Sequence, residues 1–103
     1  MTDYDKFAQD IVAKWKDNIY YIVDAELNSS VKAHTLSCDK DAFSRYVKEA
    51  VTAKVYNRSS SKQINYAYIP DTSGLCVRVY LANKADSVIE QITQQIVADW
   101  GLL

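Results

Sequence analysis

Apolar side chains recur along this chain in two different rhythms. From Tyr4 through Phe7, Ile11, Trp15, Ile19 and Ile22 they return every three or four positions, and Ala8, Val12 and Val23 widen the stripe. That spacing places one apolar face on an α-helix. Thr2 stands where a cap is wanted, and Asp5 stands at the third helical position, as in a capping box. Residues 19–23, IYYIV, also have the β-branched and aromatic character that strands favour. The helical register runs through them unbroken, so one helix ending near Leu27 is the preferred reading. Asn28-Ser29-Ser30 supplies a stop.

Residues 31–36 read as a short connector or an extended edge piece. Ser37 or Asp39 is placed to cap a second helix with an acidic first turn, which the helix dipole favours. Its stripe is Phe43, Tyr46, Val47, Ala50, Val51, Lys54 and Val55, and the polar run NRSSS at 57–61 breaks it. Near the end, Asn83 is placed to cap a third helix with Asp86 at its third position. Val88, Ile89, Ile92, Ile96, Val97 and Trp100 form the stripe, and Gly101 falls where a left-handed C-cap belongs.

The second rhythm lies between these helices. Residues 64–69 alternate, 70–74 (PDTSG) carry turn residues, and 75–82 (LCVRVYLA) alternate again. This predicts a β-hairpin. Pairing Ile69 with Leu75 puts Asn65, Ala67, Ile69, Val77, Val79 and Leu81 on one face. Tyr66, Tyr68, Cys76, Arg78 and Tyr80 fall on the other. A lone hairpin is marginal and needs cover, so the expected fold is α+β. It is a single domain over 1–103 in the order helix, helix, β-hairpin, helix, with a small antiparallel sheet covered by helices. The expected core is Phe7, Ile11, Trp15, Phe43, Val47, Val51, Val77, Val79, Ile89, Ile92 and Ile96.

With 103 residues the chain can bury a core without metal or disulfides. A net charge of −1 favours neither nucleic acid nor an anionic membrane as a whole-molecule partner. The distribution is uneven, with acidic ends around a basic middle that includes Lys40, Arg45, Lys48, Lys54, Arg58 and Lys62. Such a pattern more often reflects charge pairing inside the fold than a nucleic-acid patch. Cys38 and Cys76 form no metal or redox signature. The beginning, MTDYDKFAQD, has no apolar leader core, and no window approaches the roughly 18 apolar residues of a membrane span. The expected location is therefore cytoplasmic, with free thiols and no membrane contact.

Chemistry is sparse. His34 is the only histidine, and with Ser37, Cys38 and Asp39 nearby it forms the one catalytic-looking cluster. A lone His-x-x-x-Cys carries little specificity, and a loop histidine followed by a helix cap accounts for it. Phosphate-binding glycine loops and calcium loops are absent. No catalytic residue, metal or cofactor is expected.

The leading expectation is a non-catalytic protein-interaction module, a regulator, inhibitor or assembly subunit. It would meet a protein partner or a second copy of itself through Tyr66, Tyr68, Arg78 and Tyr80, since exposed aromatics beside an arginine have the composition of binding hot spots. The alternative is a nucleic-acid-binding accessory protein using Arg45, Lys48, Lys54, Arg58 and Lys62 in the basic 40–62 segment. Were the hairpin face to fail, the acidic side of the first helix would be the next place to look.

Overall fold

The apolar stripe of the first helix has to be covered along its whole length, and the other helices arrange themselves to do that. The computed structural model describes residues 3–56, 64 and 75–102, with side chains at 6–56, 64 and 80–102. Among these described residues four helices run in the order α1 (Asp3–Asn28), α2 (Val31–Leu36), α3 (Lys40–Val55) and α4 (Leu75–Asp99). IYYIV stays helical inside α1, as the unbroken register required.

Two serines separate α1 from α2. The Ser30 amide closes the last turn of α1 by donating to the Leu27 carbonyl at 3.0 Å. Its own backbone is extended, and its hydroxyl accepts from the Ala33 amide at 3.1 Å. Ser30 is therefore both stop and N-cap. The expected extended connector at 31–36 is instead a helix, pinned by fully buried Ala33. Asp39 caps α3 in the same manner, its carboxylate accepting from Asp41 and Ala42 amides at 3.0 and 3.3 Å. At the other end of the chain, the Leu102 amide reaches the Val97 carbonyl at 3.1 Å and the Gly101 amide reaches Ala98 at 2.9 Å. This is a Schellman turn, and Gly101 supplies the positive φ of 79° that it needs.

The expected α+β class is overturned. No strand or sheet occurs among the described residues, only an isolated antiparallel bridge between Tyr56 and Ile64. The second hairpin strand, 75–82, is the opening of α4, which starts well before Asn83. Asn83 is thus an exposed mid-helix residue and not a cap. The physical reason is visible in the register. Ile96, Ile92, Val88, Ala85 and Leu81 step back at three- and four-residue intervals, and the next step lands on Val77. A helix that has already buried this stripe extends through an alternating segment at little cost. The first hairpin strand and turn, 65–74, lie outside the described residues, as do Thr2, the NRSSS loop and the side chains of Asp5, Val77 and Val79.

α4 packs on both α3 and α1, α1 also packs on α3, and short α2 rests on α1 and α3. The shared interior contains Ile11, Trp15, Ile19, Val23 and Leu27 of α1, Phe43, Val47, Val51 and Val55 of α3, and Leu81, Val88, Ile89, Ile92, Ile96 and Val97 of α4. Thr93, buried among them, satisfies its hydroxyl on the Ile89 carbonyl at 2.8 Å. Most of the expected core is there. Phe7 is the exception, 56% exposed, because it sits about 100° around the helix from Ala8, which takes the buried position.

Truncating Ile92 to alanine should destabilise the fold by about 2–5 kcal/mol, because it empties a fully enclosed site. Phe7→Ala should stay within about 0.5 kcal/mol, as an exposed position would. Denaturant midpoints at constant slope check both; equal midpoints for Ile92→Ala and the parent would contradict this interior.

Candidate interaction surface

Of the residues expected to form the binding face, only Arg78 and Tyr80 fall on a described element, and their positions do not share a face. Arg78 and Tyr80 both lie in α4, where two positions are about 200° apart in projection. Tyr80 is half-buried, with the Lys84 ammonium 5.7 Å from its ring centroid. The side chain of Arg78, and Tyr66 and Tyr68 entirely, lie outside the described residues. The period-2 hairpin that would have united them with Arg78 and Tyr80 is contradicted by the helix.

Two lysines of the basic middle pair with acids of other helices. Lys48 of α3 reaches Glu90 of α4 at 2.7 Å, and Lys54 reaches Glu26 of α1 at 2.8 Å. Glu90, through its hydrogen bond first and its charge second, holds the Lys48 ammonium above its ordinary range. Arg45 is exposed beside an open groove between α3 and α4 of about 240 Å³. Lys48 and Glu90 line this groove together with Thr93 and Val97. Its volume falls below the roughly 300–1,000 Å³ of small-molecule sites, and its opposite charges already answer each other. Arg58 and Lys62 lie outside the described residues.

His34 is engaged elsewhere than at Cys38. Its Nε2 lies 3.0 Å from the Asn28 carbonyl oxygen, and its ring centroid is 4.9 Å from that of Trp100. Trp100 in turn lies 4.8 Å from Phe43, so the ring docks the C-terminal turn onto α2 and α3. Ser37 donates its hydroxyl to the His34 carbonyl at 2.6 Å, and Cys38 is exposed. Among the described residues no group of three or more His, Cys, Asp or Glu side chains is placed to hold a metal ion. No described helix is long and apolar enough to cross a membrane.

What stands out is the side of α1 turned away from the core. Phe7 is 56% exposed and Tyr21 is 77% exposed. They are about four turns apart, roughly 21 Å along the axis and about 40° apart in projection. Lys14 lies between them on the same line, flanked by Asp10 and Asp17, all three exposed. The five side chains occupy an arc of about 80°, roughly opposite the buried stripe. Sequence reasoning placed Phe7 in the core and passed over Tyr21 as part of IYYIV. Extending the heptad spacing 7, 14, 21 would have isolated this second line.

No protein-family model, curated protein or solved structure matches this chain. The functional reading therefore rests on these surfaces.

One polar link near this side has a measurable signature. The Tyr20 hydroxyl donates to the Asp99 carboxylate, joining α1 to the end of α4. That bond first, then burial and the nearby carboxylates of Asp24 and Asp99, pushes the phenol up from its ordinary 10.0 to about 12. The folded state thus holds this proton more tightly than the unfolded chain does. The stabilisation is complete below pH 10.0 and disappears as pH rises through about 12. Thermal melts across this range should show the parent losing stability more steeply than Tyr20→Phe, which has no proton to release. Identical alkaline slopes would rule out the link.

Proposed function

We propose that this chain is a non-catalytic protein-interaction module that engages its partner through the outer face of α1. The observation that supports this reading is the pair of exposed aromatic rings, Phe7 and Tyr21, aligned on one side of a helix whose opposite side is firmly packed. A rigid helix presenting spaced aromatic anchors is a common way to build a docking surface, since the anchors lose little entropy on binding. Asp10, Lys14 and Asp17 between them supply a charge pattern that can set register. The earlier assignment to a hairpin is replaced by this surface.

The catalytic reading draws no support from His34, whose ring is committed to Asn28 and Trp100. The nucleic-acid reading stays second because Lys48 and Lys54 face acids of the same chain.

Two measurements follow. Replacing Phe7 and Tyr21 together by serine should leave the thermal midpoint close to the parent's. It should weaken partner binding at least about tenfold, the effect expected when a hot-spot pair is lost. Affinity capture from the native cell with mass spectrometry, parent against variant, reads this. A partner retained equally by both would move the docking surface elsewhere. Separately, short RNA and DNA should remain unbound at physiological salt. Salt-sensitive binding with a slope near one per phosphate contact, removed by reversing Arg45, Lys48 and Lys54, would promote the nucleic-acid reading.

A further inference from the structure

We infer that α2 and the turn after α4 form a clasp that opens as one unit while the interior shared by α1, α3 and α4 stays packed. The inference is independent of which surface meets a partner. It concerns how the two most weakly rooted parts of the fold hold each other.

Neither half is secured by burial of its own. α2 has 6 residues, and an isolated helix shorter than about 12–15 residues is marginal in water. It places Ala33 fully in the interior and Leu36 only partly. In the turn after α4, Trp100 and Leu102 are both half-buried. The largest enclosed side chains all belong to α1, α3 and α4.

His34 joins the two halves. A carbonyl oxygen only accepts, so the imidazole Nε2–H donates to Asn28 at 3.0 Å, which fixes the ring. That ring meets Trp100 at 4.9 Å, and Trp100 meets Phe43 at 4.8 Å, both in the tilted geometry and spacing of favourable aromatic pairs. The turn places Trp100, because the Gly101 and Leu102 amides bond back to Ala98 and Val97 just beyond it. On the α2 side, the Ser30 cap and the bond from the Ser37 hydroxyl to the His34 carbonyl hold the helix that presents His34. Losing either half removes the surface on which the other rests, and such coupling is reciprocal. The enclosed side chains of the long helices still cover one another when the clasp is open. Contiguous units of this kind open below the free energy of global unfolding. Opening uncovers the side of Phe43 that Trp100 now covers.

Native-state amide hydrogen exchange, followed residue by residue, tests the clasp. The amides of His34 and Ser37 report α2, and those of Trp100 and Leu102 report the turn, each being hydrogen-bonded when the clasp is closed. Val51 and Ile92 report the interior. In the parent the two clasp sets should share one opening equilibrium, more populated than that of Val51 and Ile92. Ser30→Ala should raise exchange at Trp100 and Leu102 about fivefold, the factor of a lost cap. Trp100→Ala should raise it at His34 and Ser37 at least about tenfold. Gly101→Ala is the milder variant if Trp100→Ala does not fold. Its methyl group meets nothing within 4 Å, so it acts through the left-handed backbone alone and should speed the α2 amides roughly fivefold. Ile92→Val supplies the opposite arm: it should speed Val51 about fivefold and leave the clasp amides at parent rates, because Ile92 stays buried when the clasp opens. Effects of Ser30→Ala and Trp100→Ala or Gly101→Ala confined to their own half would show two ends fraying separately and overturn the inference. Clasp amides accelerated by Ile92→Val as much as Val51 would show only global opening and overturn it too.

Discussion

Everything in this fold depends on the winding of one apolar stripe around α1. Helices satisfy their own backbone hydrogen bonds, so with no sheet among the described residues the long-range cohesion between them has to come from side-chain burial. From Ile11 the stripe passes through Trp15, Ile19, Val23 and Leu27 in steps of four. Each such step advances about 40° around the axis, so by Leu27 the buried direction has turned roughly 160° from Ile11. A helix with a straight stripe could serve one neighbour. This one addresses α4, α3 and α2, and the outward side is left to the residues between.

The polar pairs are arranged around that interior. Lys16 with Gln91 and Tyr20 with Asp99 join α1 to α4, Glu26 with Lys54 joins α1 to α3, and Lys48 with Glu90 joins α3 to α4. Exposed ion pairs contribute little to stability once solvent and salt screen them, well under the cost of emptying one core site. They bridge the long helices around the interior where the three apolar stripes meet. Two lysines of the basic middle, Lys48 and Lys54, meet acids from the acidic flanks of the sequence in this way.

Helix periodicity made α1, α3 and the C-terminal half of α4 legible, with Asp39 one of two candidate caps for α3 beside Ser37 and Gly101 the turn after α4, because each combined a long stripe with an end signal. The segment 75–82 misled because Val-Arg-Val-Tyr-Leu satisfies alternation over a short window while also lying on the helical stripe that continues to Ile96. A short apolar run carries both periods, and the longer stripe decides. The same ambiguity at IYYIV was resolved correctly because the helical stripe was already established upstream. Ser30 was read only as punctuation, although one serine can end a helix and cap the next. The outer face of α1 was visible only as an acidic side. Its aromatic character emerged once packing assigned Ala8, and not Phe7, to the interior.

The two tryptophans stand in unlike surroundings. Trp15 is fully enclosed in the interior, whereas Trp100 is half-buried at the end of α4 between the rings of Phe43 and His34. Indole emission responds to the polarity around the ring, and a neighbouring imidazole is a quencher whose effect changes with its protonation. The chain therefore contains two native optical reporters, one for the integrity of the whole interior and one for the seating of its C-terminal turn. With either indole replaced by phenylalanine, local release of that turn becomes spectroscopically separable from global unfolding.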